Sequence, residues 1–235
     1  FTANAINYAN GSDIIVTKFN AFGTNIIGST YMGGSGNDGN NLSTSLKYCY
    51  GDEFRGEIIV DSLENCYVAS NTSSTNFPVV NGFQTAYGGG GSDGVAFKLN
   101  GNLSSLLWSN YMGGSGDDAA YSVQFEVPSN DVYITGGTTS SNFPTTTGTI
   151  NTTYGGGTDG FLSKVSSNGN TLLASTYIGT SSYDQSYFVQ LDLTNNVYVV
   201  GQTEGSYPIG PSWVYSNPNG GQFLHKLSNN LQTTI

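Results

Sequence analysis

Fragments of this chain return as near-copies of one another, and that repetition restricts the folds open to it. Ser29-Thr30-Tyr31-Met32-Gly33-Gly34-Ser35-Gly36-Asn37-Asp38 returns as Ser109-Asn110-Tyr111-Met112-Gly113-Gly114-Ser115-Gly116-Asp117-Asp118. A worn third copy is Ser175-Thr176-Tyr177-Ile178-Gly179 with Asp184. Thr75-Asn76-Phe77-Pro78 returns as Ser141-Asn142-Phe143-Pro144, then as Ser206-Tyr207-Pro208. A period of tens of residues means one supersecondary unit set side by side, each copy burying its faces on its neighbours.

Alignment on Lys18, Lys98, Lys164 and Lys226 gives intervals of 80, 66 and 62 residues. Each unit reads as short strands rich in Val, Ile, Tyr and Phe, bounded by Gly, Asn, Asp or Pro. First strands are expected at Ile14–Phe19, Val95–Leu99, Phe161–Val165 and Phe223–Leu227, and second strands at Ile26–Tyr31, Leu106–Tyr111 and Leu172–Ile178. Third strands are expected at Glu57–Val60, Ser122–Val127 and Tyr187–Leu193, and fourth strands at Cys66–Ala69, Val132–Thr135 and Val197–Val200. No segment carries an apolar stripe of helical period and length. Four antiparallel strands per unit at this length is the pattern of a β-propeller blade. The expectation is an all-β, partial β-propeller, one segment over 1–235. Its blades would span about 13–92, 93–158 and 159–221, with 1–12 and 222–235 belonging to flanking blades. A closed propeller takes roughly four blades or more, so a longer polypeptide or another chain is expected to complete it. Phe1 is not an initiator, which fits a mature product or a fragment.

Only 9% of residues are charged, far below the roughly one-quarter of ordinary soluble domains. No apolar run approaches the roughly 20 residues of a membrane helix, so membrane insertion is not expected. Solubility must come from Ser, Thr, Asn and Gly, a surface common in exported proteins. The net charge of −10 opposes nucleic acid, whose binding rests on Lys and Arg neutralising phosphates, and anionic membrane surfaces for the same reason.

Asp93-Gly94-Val95-Ala96-Phe97-Lys98-Leu99-Asn100, Tyr111 to Asp118, Asp131-Val132-Tyr133-Ile134-Thr135-Gly136 and Asn142-Phe143-Pro144 resemble the bacterial SBBP β-propeller repeat. The similarity runs over nearly the whole chain and fades in the third unit, where Ser181-Ser182-Tyr183-Asp184-Gln185 replaces Gly-Ser-Gly-Asp-Asp. The resemblance implies a module of a large exported or cell-surface protein, often an adhesin. It carries over no catalytic residue and no cofactor.

Lys18, Lys98 and Lys164 are each followed twenty residues later by Asp38, Asp118 and Asp184. These read as structural Lys–Asp pairs within a unit, since a partly buried lysine needs a partner; the alternative is a ring of lysines facing an anionic ligand. Asp13, Asp93 and Asp159 read as turn acceptors. The Gly36-Asn37-Asp38 and Gly116-Asp117-Asp118 turns would offer carboxylates and carbonyls to calcium, but lack the dense Asp/Asn alternation of a calcium loop, so no cofactor is expected. The one histidine, His225, sits in a strand register and cannot assemble a triad or metal cluster with two cysteines. No enzyme is expected. Cys49 and Cys66 both belong to the one unit that carries an insertion, around Lys47–Gly56; they are either free thiols or a staple tying the insertion to its strand. Trp108, Trp213 and Tyr215 are the aromatics that do not follow the repeat. They are candidate sugar or protein contacts, or equally packed anchors. Asn10, Asn41, Asn71, Asn102 and Asn151 head glycosylation sequons, and Asp61-Ser62-Leu63 resembles a bacterial O-glycosylation signal. The function expected is a non-enzymatic extracellular scaffold or adhesion surface. Its partners would be other blades of the same or a neighbouring chain, and glycans or surface proteins. A lectin-like or glycan-cleaving propeller is the alternative.

Overall fold

The computed structural model describes residues 11–46, 52–217 and 220–235. Among these the chain is all-β, with thirteen strands and one short 3-10 turn at Asp52–Phe54. The strands are β1 (Ile14–Phe19), β2 (Ile26–Met32), β3 (Glu57–Val60), β4 (Cys66–Thr72), β5 (Asp93–Leu99), β6 (Leu106–Met112), β7 (Asp118–Phe125), β8 (Val132–Thr138), β9 (Asp159–Val165), β10 (Leu172–Ile178), β11 (Asp184–Leu191), β12 (Val197–Thr203) and β13 (Gln222–Leu227). Every strand expected from composition and punctuation is present. Most are longer than expected at one end, where Asp, Gly and Thr continue the ladder.

The strands form antiparallel meanders in chain order: β3-β4-β5-β6, β7-β8-β9-β10 and β11-β12-β13, with β1 and β2 paired alone. The units expected at 13–92, 93–158 and 159–221 are therefore out of phase with the sheets. Each four-stranded sheet takes two strands from one unit and two from the next, because the long Phe-Pro connection returns the chain to pair β4 with β5 and β8 with β9. A period read along the chain is the same wherever it is cut; only the hydrogen-bond ladder decides the cut. Beside β13, Ile235 N–H donates to the Lys226 carbonyl at 2.9 Å, the position of the missing fourth strand. Among the described residues the sheets do not close into a ring.

Successive sheets stack face to face, β4 against β7 and β8 against β11, and the three leading strands β3, β7 and β11 adjoin. Side chains tie those strands together. The Glu57 carboxylate accepts from Val123 N–H (2.9 Å) and Ser122 Oγ (2.5 Å), and Ser122 Oγ accepts from Val189 N–H (3.1 Å). Between sheets lie continuous apolar layers. One holds Tyr67, Trp108, Met112, Val132, Phe143 and Phe161. The Phe-Pro motifs feed these layers, Phe143 this one and Phe77 the layer of Val95, Phe97 and Leu99. Phe77 and Phe143 are buried, and their N–H groups donate to the Tyr111 and Tyr177 hydroxyls at 2.9 and 3.0 Å. Those hydroxyls in turn donate to the Ser74 and Ser140 carbonyls at 2.8 Å. Burying each phenyl contributes about 1.5–3 kcal/mol, and the tyrosine satisfies the turn's polar groups in a dry setting. The glycine runs allow the chain to pass close by: Gly90 adopts φ +65°, and a Cβ there would stand 2.2 Å from the Gly116 carbonyl oxygen.

Candidate functional site

The four repeated lysines keep a common place, but their partners are not the expected aspartates. Lys98 Nζ meets Asp61 at 3.4 Å, Lys164 meets Glu126 at 3.0 Å, and Lys226 meets Asp192 at 3.2 Å. In each case the acid lies in the turn joining the first two strands of the lysine's own sheet, and the ammonium rests over a neighbouring ring, Tyr67, Tyr133 or Tyr198 (4.4, 5.2 and 4.9 Å). Lys18, whose sheet has only β1 and β2, turns to Glu64 of the next sheet (2.6 Å) and the Gly101 carbonyl. The reason is antiparallel geometry. Lys98 stands opposite Trp108 near the turn end of β5–β6, whereas Asp118 joins the ladder at the far end, its N–H donating to the Ser92 carbonyl. Twenty residues of hairpin thus separate the pair by the length of a strand. The signal for the true partners is the turn itself: Asp61 Oδ1 accepts from the Leu63 and Asn65 N–H groups and Asp192 Oδ1 from those of Thr194 and Asn196. At Asp61 partial burial opposes ionisation, but the Asn65, Tyr67 and Leu63 donors prevail and hold the carboxyl below its usual range. Donation led by the Thr194 hydroxyl does the same for Asp192.

The opposite ends of the strands hold a second repeated constellation that sequence reasoning missed. Asp93 opens β5 and Asp118 opens β7, and both are fully buried. A Cβ on Gly113 would stand 2.5 Å from Asp93 Oδ1 and 2.9 Å from Asp118 Oδ2, so one glycine separates the two carboxyls. At Gly33 the arrangement repeats with Asp13 Oδ1 and Asp38 Oδ2, and at Gly179 a Cβ would stand 2.8 Å from Asp159 Oδ1 and 3.2 Å from the Asp184 Cβ. Burial pushes Asp93 up to about 8 and Asp118 to about 7, with the facing Asp118 adding to the rise at Asp93. Burial likewise carries Asp159 to about 7, with Asp184 adding to it. The recurrence of an acid at both positions, with glycine always between, was the available signal.

The described residues at the two ends of the insertion touch β7, β11 and the residue before β9. Arg55 Nε bonds Asp52 (3.3 Å), and its guanidinium lies 4.5 Å from the Tyr187 ring centre. Tyr121 OH donates to the Leu46 carbonyl, and Thr158 Oγ1 to that of Ser45. Cys49 lies outside the described residues. Cys66 is a free, buried thiol, and burial pushes it up to about 11, so no disulfide is supported.

Trp108 is 2% exposed and its Nε1–H donates to the Ser167 carbonyl (3.2 Å). It is packed as an anchor, one of the two roles expected for it. It floors a cleft of about 380 Å³ lined by Asn81, Lys98, Leu107, Ser167, Asn168 and Asn170. Trp213 and Tyr215, by contrast, are 81% and 93% exposed on the connection before β13. His225 fills a strand position as expected, its ring nitrogens bonded to Tyr207 OH (2.7 Å) and Thr234 Oγ1 (2.8 Å). Two sequons are closed to modification in the folded chain. Asn41 is buried with its amide on Tyr121 OH (3.3 Å), and Asn71 is buried within β4. Asn102 and Ser62 are exposed, Asn151 is half-buried, and Asn10 lies outside the described residues. Among the described residues no group of three His, Cys, Asp or Glu side chains could hold a metal, and no helix is long and apolar enough to cross a membrane.

No family model matches this chain, and no curated protein matches it.

Proposed function

We propose that this chain is a stretch of an SBBP-type β-propeller serving as a non-enzymatic scaffold or adhesion module of an exported or cell-surface protein. One observation carries the reading: among the described residues the last sheet exposes a row of side chains whose counterparts one sheet back are buried. Phe188, Val200 and Leu224 form one cross-strand row on the open face of β11-β12-β13. Their counterparts one sheet back, Ser122, Thr135 and Leu162, are buried under the next sheet. A row of that kind suits a further blade, from the same or a neighbouring chain, which is what a propeller supplies. The basic side chains add support, since all five among the described residues are tied to acids that brace turns, sheets or the insertion. The test is protease shaving of intact producing cells. Release of fragments of this chain is the expected result; protection until lysis would overturn the surface assignment.

The exposed Trp213–Tyr215 pair and the asparagine-lined cleft beside Trp108 favour one second reading, a carbohydrate-binding propeller. A glycan array decides between them. Specific binding that disappears in Trp213→Ala makes the chain a lectin, and silence leaves the scaffold.

A further inference from the structure

We propose that the buried aspartate pairs Asp93–Asp118 and Asp159–Asp184 each hold a proton between their carboxyl groups and act as proton-loaded latches between neighbouring sheets. Each pair joins two sheets: Asp93 belongs to β3-β4-β5-β6 and Asp118 to β7-β8-β9-β10, while Asp159 belongs to the latter and Asp184 to β11-β12-β13. Asp13 and Asp38 hold the same positions one step earlier.

Within each pair the donors are uneven. Asp118 Oδ2 accepts from Gly114 N–H and Ser140 Oγ, both at 2.7 Å. Asp184 Oδ2 accepts from Thr180 N–H (2.6 Å) and Thr180 Oγ1 (2.8 Å). Asp93 and Asp159 accept from backbone N–H groups only, Gly88 and Gly155 standing at 2.6 Å from their Oδ2 atoms, and the Oδ1 atoms of all four aspartates are buried with no hydrogen-bond partner. A buried acceptor facing a second carboxylate is costly unless a hydrogen lies between them. A carboxylic acid at Asp93 or Asp159 supplies that hydrogen, donating through Oδ1 to the facing carboxyl group. Two like charges at this separation in a dry joint do not both ionise.

Among the described residues no counter-charge faces the pairs. The groups acting on Asp93 and Asp118 or standing beside them are Asp117, Tyr87 and Tyr111, and those around Asp159 and Asp184 are Tyr154, Tyr177 and Tyr207, with Asp118 further off. The four repeated lysines stand at the other end of the strands. No third ligand joins either pair among the described residues, and the partners of Asp93 and Asp159 are N–H donors rather than carbonyls. The pair therefore offers a place for a proton and no coordination sphere.

A raised carboxyl binds more protons folded than unfolded. Stability is complete near the ordinary aspartate range and falls as pH climbs to the folded value, by up to about tenfold in folding constant per pH unit for each latch. The experiment is urea unfolding of the intact chain at several pH values between 5 and 9, for the parent, Asp93→Asn, Asp159→Asn and the double variant. Asparagine Nδ2–H replaces the shared proton at all pH values. The expected result is a folding constant that falls with pH in the parent and a slope reduced in each single variant and most in the double. An unchanged slope in folded variants overturns the proposal. Calcium at millimolar concentration that restores the parent at pH 9 would overturn it too, by showing a cation in the joint. Should the variants not fold, infrared difference spectra of the parent decide. Loss of a protonated-carboxyl C=O band between pH 6 and 9 supports the latch, and no band at pH 6 overturns it.

Discussion

Sheets β7-β8-β9-β10 and β11-β12-β13 carry the same strand registers and the same lysine over the same tyrosine, yet one is interior and the other terminal. Leu162 in β9 is 0% exposed, and its counterpart Leu224 in β13 is 66% exposed. Thr135 is buried where Val200 is 38% exposed. The row Phe188, Val200 and Leu224 has not become polar to suit solvent; it is more apolar than the row Ser122, Thr135 and Leu162 that it matches. A face that keeps apolar residues in water is waiting for cover. What a residue contributes in this architecture therefore depends on its sheet's place in the stack as much as on its type.

The most direct way to break that comparison is to cut the same side chain in both sheets. Leu162→Ala should cost about 2–5 kcal/mol, the range for a fully buried leucine that leaves a cavity. Leu224→Ala should stay within about 0.5 kcal/mol, as an exposed substitution does. Urea unfolding of the two variants checks this. A large loss at Leu224 that grows with protein concentration would mean the open face is covered by a second copy in solution.

The lysine clamps sharpen the contrast at a smaller scale. Lys164 and Glu126 are both nearly enclosed, with side-chain exposures of 12% and 9%. Lys164→Met should therefore cost on the order of 2 kcal/mol, because Glu126 keeps a buried charge without its cation. Lys226 and Asp192 are open to water, and Lys226→Met should leave the unfolding midpoint unchanged, as exposed pairs do. Equal effects at the two sites would show that the terminal sheet is as enclosed as the interior one.

The thirteen strands were legible because each needs only local information: β-branched and aromatic residues between turn formers. The blade boundaries were not, because the pairing of β4 with β5 spans the whole connection from Thr72 to Asp93, and nothing in either strand names its neighbour. The lysines were legible as a class but not their acids. A constant interval of twenty residues tied Asp118 to Lys98 in the repeat, whereas antiparallel pairing sends it to the opposite end of β5. The aspartate pairs were hidden for the opposite reason. Asp93 does serve a turn, through Gly88 N–H, and that sufficient local role concealed the facing Asp118.

The interior thiol gives a kinetic test of the same enclosure. Cys66 begins β4 under the apolar layer of Val68, Phe97 and Leu99, and burial pushes its thiol up to about 11, so little thiolate is available at pH 8. In a Cys49→Ser variant, labelling of Cys66 by an aromatic disulfide reagent should be slow in buffer and complete within the mixing time in urea. Fast labelling in buffer would mean that the first full sheet opens locally.

The two tryptophans carry the smallest energetic effect and the cleanest signal. Trp108 is packed on Gly169, its indole N–H on Ser167, while Trp213 stands free on a connection. Trp213→Ala should change stability by less than about 0.5 kcal/mol, yet remove the part of the fluorescence that iodide quenches and that emits at long wavelength. The remaining emission, from Trp108, should be blue-shifted and shielded until the chain unfolds. If iodide instead quenches the Trp213→Ala protein as strongly as the parent, Trp108 is accessible. The joint between the second and third sheets would then be open to solvent, and the interior sheet would differ from the terminal one far less than its buried residues require.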